Sequence, residues 1–202
     1  MGAACRRPVI LNITAEFVTS AAGAEGFPRD RLPEVAMVGR SNVGKSSLIN
    51  ALVRQPLART SAAAGKTRLA NFYRVRRGTA PALYLVDLPG YGYARGGDAA
   101  EEFTRLTDAY FARDVAVLLL VDARHPGLES DLEAWRWLAT QQCARHVVGT
   151  KVDKLTRAER VRHARAFDSL FDAPVSLVSA HTGEGLEELW KTIASLPSRT
   201  AA

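Results

Sequence analysis

The sequence predicts an α/β domain of three layers, with helices on both faces of a mixed, mainly parallel sheet of six or slightly more strands. Three observations predict it. Glu34 to Val38 is a short apolar run that enters a glycine-containing loop and leaves it as a helical pattern, with Leu48/Leu52 and Ile49/Val53 each four apart. Val115 to Val121 is apolar at every position, as a strand covered on both faces must be. Strand-like and helix-like runs then alternate down the chain, the pattern of a sheet built by crossover connections.

Each element follows from its residues. Val9 to Ser20 carries β-branched and aromatic residues and reads as an early strand. Residues 21–33, rich in Gly, Ala, Pro and charge, lead into the strand at Glu34. Between Gln55 and Ala70 the apolar period disappears, and Thr60 to Thr67 has the small, polar composition of a loop. Asn71 to Val75 reads as a strand turned at Arg77-Gly78, and Ala82 to Val86 as the next, ending at Asp87. A glycine-rich stretch, Gly90 to Gly97, precedes a helix from Asp98 to Ala112. After Val115 to Val121, the residues Leu128, Leu132, Trp135 and Leu138 recur at helical spacing, which places Trp135 in the core and turns Trp137 outward. Val147-Val148 is a short strand, and residues 156–171 a helix with Val161, Ala164, Phe167 and Phe171 inward. Val175 to Val178 is the last strand; Leu186, Leu189, Trp190 and Ile193 mark a closing helix. The expected organisation is one domain over residues 9–196 with tails at 1–8 and 197–202.

Composition bounds the function. A chain of 202 residues with 47% apolar content supports one well-buried core. The longest apolar run, Val115 to Val121, is too short to cross a bilayer. Met1 to Pro8 lacks the apolar segment of a signal peptide. Cys5 and Cys143 form neither a CxxC nor a metal-ligand pattern, so the expectation is a cytoplasmic protein with reduced thiols. Lys plus Arg number 27 against 21 Asp plus Glu, a net +6, with a pI near 9.7. That excess favours anionic partners, RNA first, beside the plainer reading of a mildly basic surface with no special partner.

The chemistry is carried by spaced motifs. Gly39-Arg40-Ser41-Asn42-Val43-Gly44-Lys45-Ser46, followed by Ser47, has the spacing of a phosphate-binding P-loop. A bound triphosphate is a dense anion that needs inward-facing backbone N–H groups, and Gly39 and Gly44 permit that approach because they lack a Cβ and tolerate φ > 0. Lys45 is expected to bridge the β- and γ-phosphates, Ser46 to ligate Mg²⁺, and the helix opening at Lys45 to add its dipole. Asp87-Leu88-Pro89-Gly90 lies at the C-terminal end of a strand, where open α/β sheets bind ligands. Asp87 is expected to hold Mg²⁺ through a water and the Gly90 N–H to reach the γ-phosphate. Thr67 is expected to close on Mg²⁺ and the γ-phosphate within a nucleotide-binding stretch Gly65-Lys66-Thr67-Arg68-Leu69, and to be withdrawn on hydrolysis. Lys45, Thr67 and Gly90 are thus the candidate catalytic residues. Thr150-Lys151-Val152-Asp153 discriminates the base: guanine presents two adjacent donors that one carboxylate, Asp153, accepts, and adenine offers no such pair. Lys151 is expected to lie along the base plane, and Ser179-Ala180-His181 to direct a backbone N–H at guanine O6.

In that order these motifs resemble a translation-factor-type small GTPase, hence a P-loop GTPase domain. Finer features resemble the EngB/YsxC family: Pro33-Glu34-Val35-Ala36 running into the P-loop and Ser47-Leu48-Ile49-Asn50-Ala51-Leu52, Gly65-Lys66-Thr67, Asp87 through Tyr91-Gly92-Tyr93-Ala94, and Val121-Asp122-Ala123-Arg124-His125-Pro126. The resemblance implies a bacterial protein that binds GTP/GDP and Mg²⁺ and hydrolyses GTP as a switch in large (50S) ribosomal subunit assembly, with a link to normal cell division. It implies a partner in the large subunit or its precursor rRNA, no stable membrane insertion, and a monomer. An alternative of a different class is an RNA-binding assembly scaffold in which GTP is a structural ligand.

Three positions depart from common GTPase patterns. Thr150 replaces the usual Asn, as is this family's habit. Ala62-Ala63-Ala64 stands where a proline is expected. Tyr91 occupies the place of the water-orienting glutamine of many Ras-like proteins, so the expectation is slow intrinsic hydrolysis raised by a partner. No arginine finger is identifiable, Arg68 being the nearest candidate. Asn42 suggests a K⁺ ion beside the phosphates; the plainer reading is that it satisfies the loop backbone. For RNA, Arg157, Arg160, Arg162, His163 and Arg165 are expected on the outer surface of one helix, with Arg74, Arg76 and Arg77 elsewhere. Tyr91 and Tyr93 are expected either to stack on bases or to pack their own loop.

Overall fold

A computed structural model of the chain describes residues 12–59, 69–91 and 98–196. Its strands are β1 (Ile13–Ala21), β2 (Glu34–Gly39), β3 (Ala70–Arg77), β4 (Leu83–Asp87), β5 (Val115–Asp122), β6 (Ala144–Thr150) and β7 (Val175–Leu177). Its helices are α1 (Lys45–Val53), α2 (Asp98–Phe111), α3 (Glu129–Thr140), α4 (Arg157–Phe171) and α5 (Leu186–Ser195). The strands form one sheet in the order β1-β3-β4-β2-β5-β6-β7, the slightly larger mixed sheet that the sequence allows. From β4 to β7 neighbouring strands run parallel. Of these strands only β3 is reversed, antiparallel to both its neighbours, β1 and β4; it returns to β4 through a short turn after Gly78, too short for a crossover helix.

Two apolar layers sandwich the sheet. On one face Leu48, Leu52, Trp190 and Ile193 of α1 and α5 meet Met37, Leu85 and Leu118. On the other, Leu106, Tyr110, Leu138, Phe167 and Phe171 of α2, α3 and α4 meet Phe72, Val86 and Leu119. β5 is buried at every position, which explains its unbroken apolar run. α4 starts at a capping box in which the Thr156 side chain accepts from the Glu159 N–H and Glu159 reaches back to the Thr156 N–H.

Several expectations shift. β1 ends at Ala21, and its expected beginning, Val9 to Leu11, lies outside the described residues, as do both expected tails. β1 is an edge strand with an irregular register between Phe17 and Thr19, leaving Phe17 half exposed. β6 extends back to Ala144 because Arg145 and His146 find strand partners despite their polarity. The Arg145 guanidinium lies 3.9 Å from the centroid of the Trp135 ring, and His146 Nε2 pairs with Ser176 Oγ at 2.8 Å. Trp135 packs half-buried with its indole N–H on the Phe171 carbonyl, and Trp137 is exposed. Val161 does not point inward: it is 53% exposed. Steps of three residues precess by about 60° each, so a line through Phe167 and Ala164 has left the buried face by Val161.

Candidate functional site

The loops leaving the C-terminal ends of β2, β4 and β6 meet at one edge of the sheet. β2 ends at Gly39, and the chain turns through residues 40–44 into α1. The two glycines serve different purposes. Gly44 has φ +112°, a conformation that favours glycine, whereas a Cβ on Gly39 would lie 2.7 Å from the Leu120 carbonyl oxygen of the neighbouring strand. Gly39 is therefore needed for close packing and not for φ > 0. Lys45, buried at the start of α1, donates from Nζ to the carbonyls of Gly39 (3.1 Å) and Arg40 (3.3 Å). Burial pushes its pKa down, and nearby Asp87 works against that.

Ser46 Oγ donates to Asp87 Oδ2 at 2.6 Å, joining the first turn of α1 to the end of β4. Asp87 is 2% exposed and its Oδ1 is buried without a hydrogen-bond partner among the described residues. Burial pushes the carboxyl pKa up, with Lys45 and the Ser46 hydroxyl opposing. An orphaned carboxylate oxygen beside a hydroxyl is a donor set that suits a hydrated Mg²⁺, a hard cation that takes oxygen ligands and keeps several waters. Leu88 and Pro89 are buried, and Gly90 rests on the P-loop: a Cβ there would meet the Ser41 nitrogen at 2.7 Å.

Tyr91 pairs with Arg40 in a parallel bridge, and its hydroxyl donates to Asp131 Oδ1 of α3 at 2.8 Å. Arg40 Nε stands 3.2 Å from the same oxygen. Burial pushes the Asp131 carboxyl up, and the Tyr91 hydrogen bond and the Arg40 charge oppose it. Of the two readings for Tyr91, packing of its own loop is the one observed; Tyr93 lies outside the described residues.

At the far end, Thr150 Oγ1 lies within hydrogen-bonding distance of two carbonyls, Val43 (2.8 Å) and Val121 (3.1 Å). It ties the P-loop to β5 and β6, so the short side chain suffices to brace the loop. Lys151, in the left-handed region with φ 62°, donates from Nζ to the Asn42 carbonyl (2.7 Å) and to Asp122 Oδ2 (2.9 Å). Val152 is buried. Asp153 Oδ1 accepts from Ser179 Oγ at 2.6 Å, and this bond is the main cause of its lowered pKa. Ser179 Oγ also accepts from the His181 and Thr182 N–H groups. Among the described residues, the Ala180 N–H is left with no protein partner.

The structure thus brings together Gly39 to Ser47, Asp87 to Gly90, Thr150 to Asp153 and Ser179 to His181. Gly65, Lys66, Thr67 and Arg68 lie outside the described residues, and Leu69 is exposed just before β3. The Asn42 side chain is exposed and hydrogen-bonds to nothing among the described residues, so it does not satisfy the loop backbone. The basic helix needs correction. Arg160 is ion-paired with Glu184, and His163 Nδ1 bonds to the Ala123 carbonyl at 2.8 Å; both turn toward the body of the protein. Arg157, Arg162 and Arg165 remain on its exposed face. Arg77 is ion-paired with Glu187. Sequence reasoning missed Asp131, which carries no local signal, and gave no role to Asp122 or Arg124, although a carboxylate closing an apolar central strand was a visible one.

The model of a family described as 50S ribosome-binding GTPase matches residues 34–151. A probable GTP-binding protein EngB of Solibacter usitatus is 44% identical over 189 residues, covering 91% of this chain and 96% of that protein. Its counterpart in Heliobacterium modesticaldum is 42% identical, covering 87% and 88%. Among solved structures, Aquifex aeolicus Era bound to GDP and AlF4⁻ superposes with TM-score 0.72 at 25% identity over 82% of this chain; the match spans only 57% of the Era chain. A crystal structure of a probable GTP-binding protein EngB shares the fold with TM-score 0.57 at 22% identity, covering 80% of this chain and 96% of that one. Motif geometry and sequence kinship agree, and the chain belongs to the EngB family of GTP-binding proteins and is a GTPase.

Proposed function

We propose that this GTPase is a nucleotide-controlled switch in assembly of the large (50S) ribosomal subunit. The observation that carries the site assignment is the Ser46–Asp87 contact beside buried Lys45. A buried ammonium and a buried carboxylate with an orphaned oxygen form a half-built Mg²⁺–phosphate site. In this reading Gly39 to Ser47 cradle the phosphates, Lys45 bridges β and γ, and Ser46 and, through water, Asp87 hold Mg²⁺. Thr67 and the Gly90 N–H close on the γ-phosphate, with Gly65 to Leu69 along the nucleotide. Thr150 to Asp153 and Ser179 to His181 select guanine, with Asp153 on its two donors and the Ala180 N–H on O6. Held there, Mg²⁺ would supply positive charge to the phosphoryl oxygens.

Tyr91 has no amide to orient water, so we expect intrinsic hydrolysis on the order of 10⁻⁴ to 10⁻³ s⁻¹, as in unassisted members of the wider class. A partner would raise it. The exposed Asn42 side chain supports a K⁺ ion beside the phosphates, supplying positive charge that an arginine finger supplies elsewhere. Equal hydrolysis rates in K⁺ and Na⁺ buffers would remove that ion from the mechanism.

The partner follows from kinship and charge. The matching family is described as binding the 50S ribosome, which supports the large subunit, and Era, which shares the fold, has been solved with MgGDPNP and nucleotides 1506–1542 of 16S ribosomal RNA, which supports rRNA chemistry only. Arg157, Arg162 and Arg165 supply an exposed basic face suited to rRNA phosphates. Among the described residues no helix is long and apolar enough to cross a membrane, and the reading is of a monomer acting in the cytoplasm. The reading includes the link to normal cell division. Co-sedimentation with separated ribosomal subunits tests it, using a non-hydrolysable GTP analogue, GDP or no nucleotide. Selective large-subunit binding with the analogue is expected. Equal binding in all three states would replace the switch with an RNA-binding scaffold, and no binding would end the ribosomal reading.

A further inference from the structure

The Asp122-Ala123-Arg124 segment at the end of β5 is absorbed by none of the roles above, yet among the described residues its carboxylate is the most heavily donated-to group at this edge of the sheet. Asp122 is 4% exposed. Arg124 grips it with Nε on Oδ1 (2.9 Å), a terminal nitrogen on Oδ2 (2.7 Å) and its own backbone N–H on Oδ1 (3.1 Å). Lys151 Nζ adds the bond to Oδ2 at 2.9 Å. Burial alone would push the carboxyl up; the hydrogen bonds from Arg124 and Lys151 outweigh it and hold Asp122 well below the usual carboxylate range.

Lys151 is the hinge of the guanine motif. It sits at φ 62°, which a side-chain-bearing residue adopts at a cost. Its carbonyl accepts the Lys154 N–H, closing the turn of residues 152–154 that carries Asp153. Its ammonium reaches the P-loop at the Asn42 carbonyl. A flexible four-carbon stem would not hold that position alone.

We propose that Asp122 is a positioning residue for guanine recognition: it fixes Lys151 between β5 and the P-loop, and through Lys151 it aims Asp153 at the base. Arg124 keeps the carboxylate oriented so that Oδ2 faces Lys151. Loss of Asp122 therefore weakens binding and also blurs the choice of base, because the aim of Asp153 depends on it. The inference rests on Asp153 being the guanine receptor.

The test compares GDP with IDP, which lacks the N2 donors and keeps N1–H, in wild type, Asp122→Asn, Lys151→Met and the double variant. Thermal melts confirm that each is folded. Asp122→Asn is expected to weaken GDP binding at least about tenfold, the scale of one charge-assisted hydrogen bond. It is also expected to shrink the GDP-to-IDP preference by about threefold or more, a change that simple destabilisation would not produce. The double variant is expected to bind within about twofold of the weaker single variant, because both act through one contact. Asp122→Asn binding GDP within about twofold of wild type with an unchanged preference, or losses that multiply in the double variant, would overturn the proposal. If Asp122→Asn does not fold, Lys151→Met decides alone, since wild-type binding and base preference in it would leave nothing for Asp122 to position. Wild type that binds IDP as tightly as GDP would instead refute Asp153 as the receptor.

Discussion

The Tyr91 hydroxyl and the buried Asp131 carboxylate, 2.8 Å apart, join the residue that follows the Asp-x-x-Gly motif to the body of α3. Arg40 of the P-loop approaches the same oxygen, so three segments share one carboxylate. Gly90, one residue before, lies against Ser41. The contact therefore holds the loop after β4 down on the P-loop.

Tyr91→Phe removes the donor and leaves the ring. Folding stability without nucleotide is expected to fall by about 1–3 kcal/mol, the cost of depriving a buried charged acceptor of its partner. Freed from α3, the loop is also expected to favour a non-hydrolysable GTP analogue over GDP more strongly than wild type does. Urea unfolding and competitive nucleotide titration check both, and a variant matching wild type in each would mean that the contact is incidental.

Asp87→Asn keeps the shape of the Ser46 contact and removes the charge. Mg²⁺ titration of GTP hydrolysis is expected to show a midpoint raised by about tenfold or more, the scale on which charge-assisted contacts exceed neutral ones. Because the wild-type carboxylate is buried with one oxygen unpartnered among the described residues, apo stability is expected to hold or rise. A variant with an unaltered Mg²⁺ midpoint would remove Asp87 from the metal site.

Thr150→Val replaces the bracing hydroxyl by a methyl of equal size. The single hydroxyl proton that serves the Val43 carbonyl (2.8 Å) or the Val121 carbonyl (3.1 Å) is then gone. Stability is expected to drop by about 1–3 kcal/mol, with weaker GDP binding because the P-loop loses its tie to β6. Chemical denaturation and nucleotide dissociation rates measure the two effects.

The pH response follows from Asp122. Its folded pKa lies below the unfolded value of about 3.9. Its stabilising contribution is therefore fully present above that value and is lost as pH falls toward the folded pKa. Asp131 and Glu34 are shifted the other way, so their share declines as pH rises through their folded values. Between pH 5 and pH 3, wild type is expected to lose more stability than Asp122→Asn, as urea unfolding would show. Parallel losses would mean that Asp122 is not held ionised.

Stability also has a test at the foot of the sheet. Glu34 is buried and is met by Arg113, whose Nε lies 3.1 Å from Oε1 and whose guanidinium covers the Phe27 ring. Arg113→Met keeps much of the stem but strands the carboxylate, with an expected loss of about 3–5 kcal/mol. Thermal unfolding near neutral pH checks it.

Periodicity and spacing reached far along this chain. The β5 run, the helix after Gly44 and the motif order depend on local backbone geometry and on the chemistry of a triphosphate, and local residue types encode both. Boundaries were less legible where polar residues sit in strands: Arg145 and His146 look like loop residues until Trp135 and Ser176 are beside them. Val161 was misplaced for a geometric reason, since a three-residue spacing mimics an inward stripe for only two steps. On α4 the arginine run was visible, but Glu184 and the Ala123 carbonyl, which draw in Arg160 and His163, come from elsewhere in the chain.

By itself the sequence determined the class of fold and showed the Gly39–Ser46 and Thr150–Asp153 motifs, because each is a local run of residue types at a set spacing. Only the tertiary structure decided which charges meet. Asp131 lies 91 positions from Arg40 and 40 from Tyr91, and Asp122 lies 29 from Lys151. Such pairs form where separate strands and helices end at one edge of the sheet, and the burial there turns ordinary side chains into strongly coupled ones.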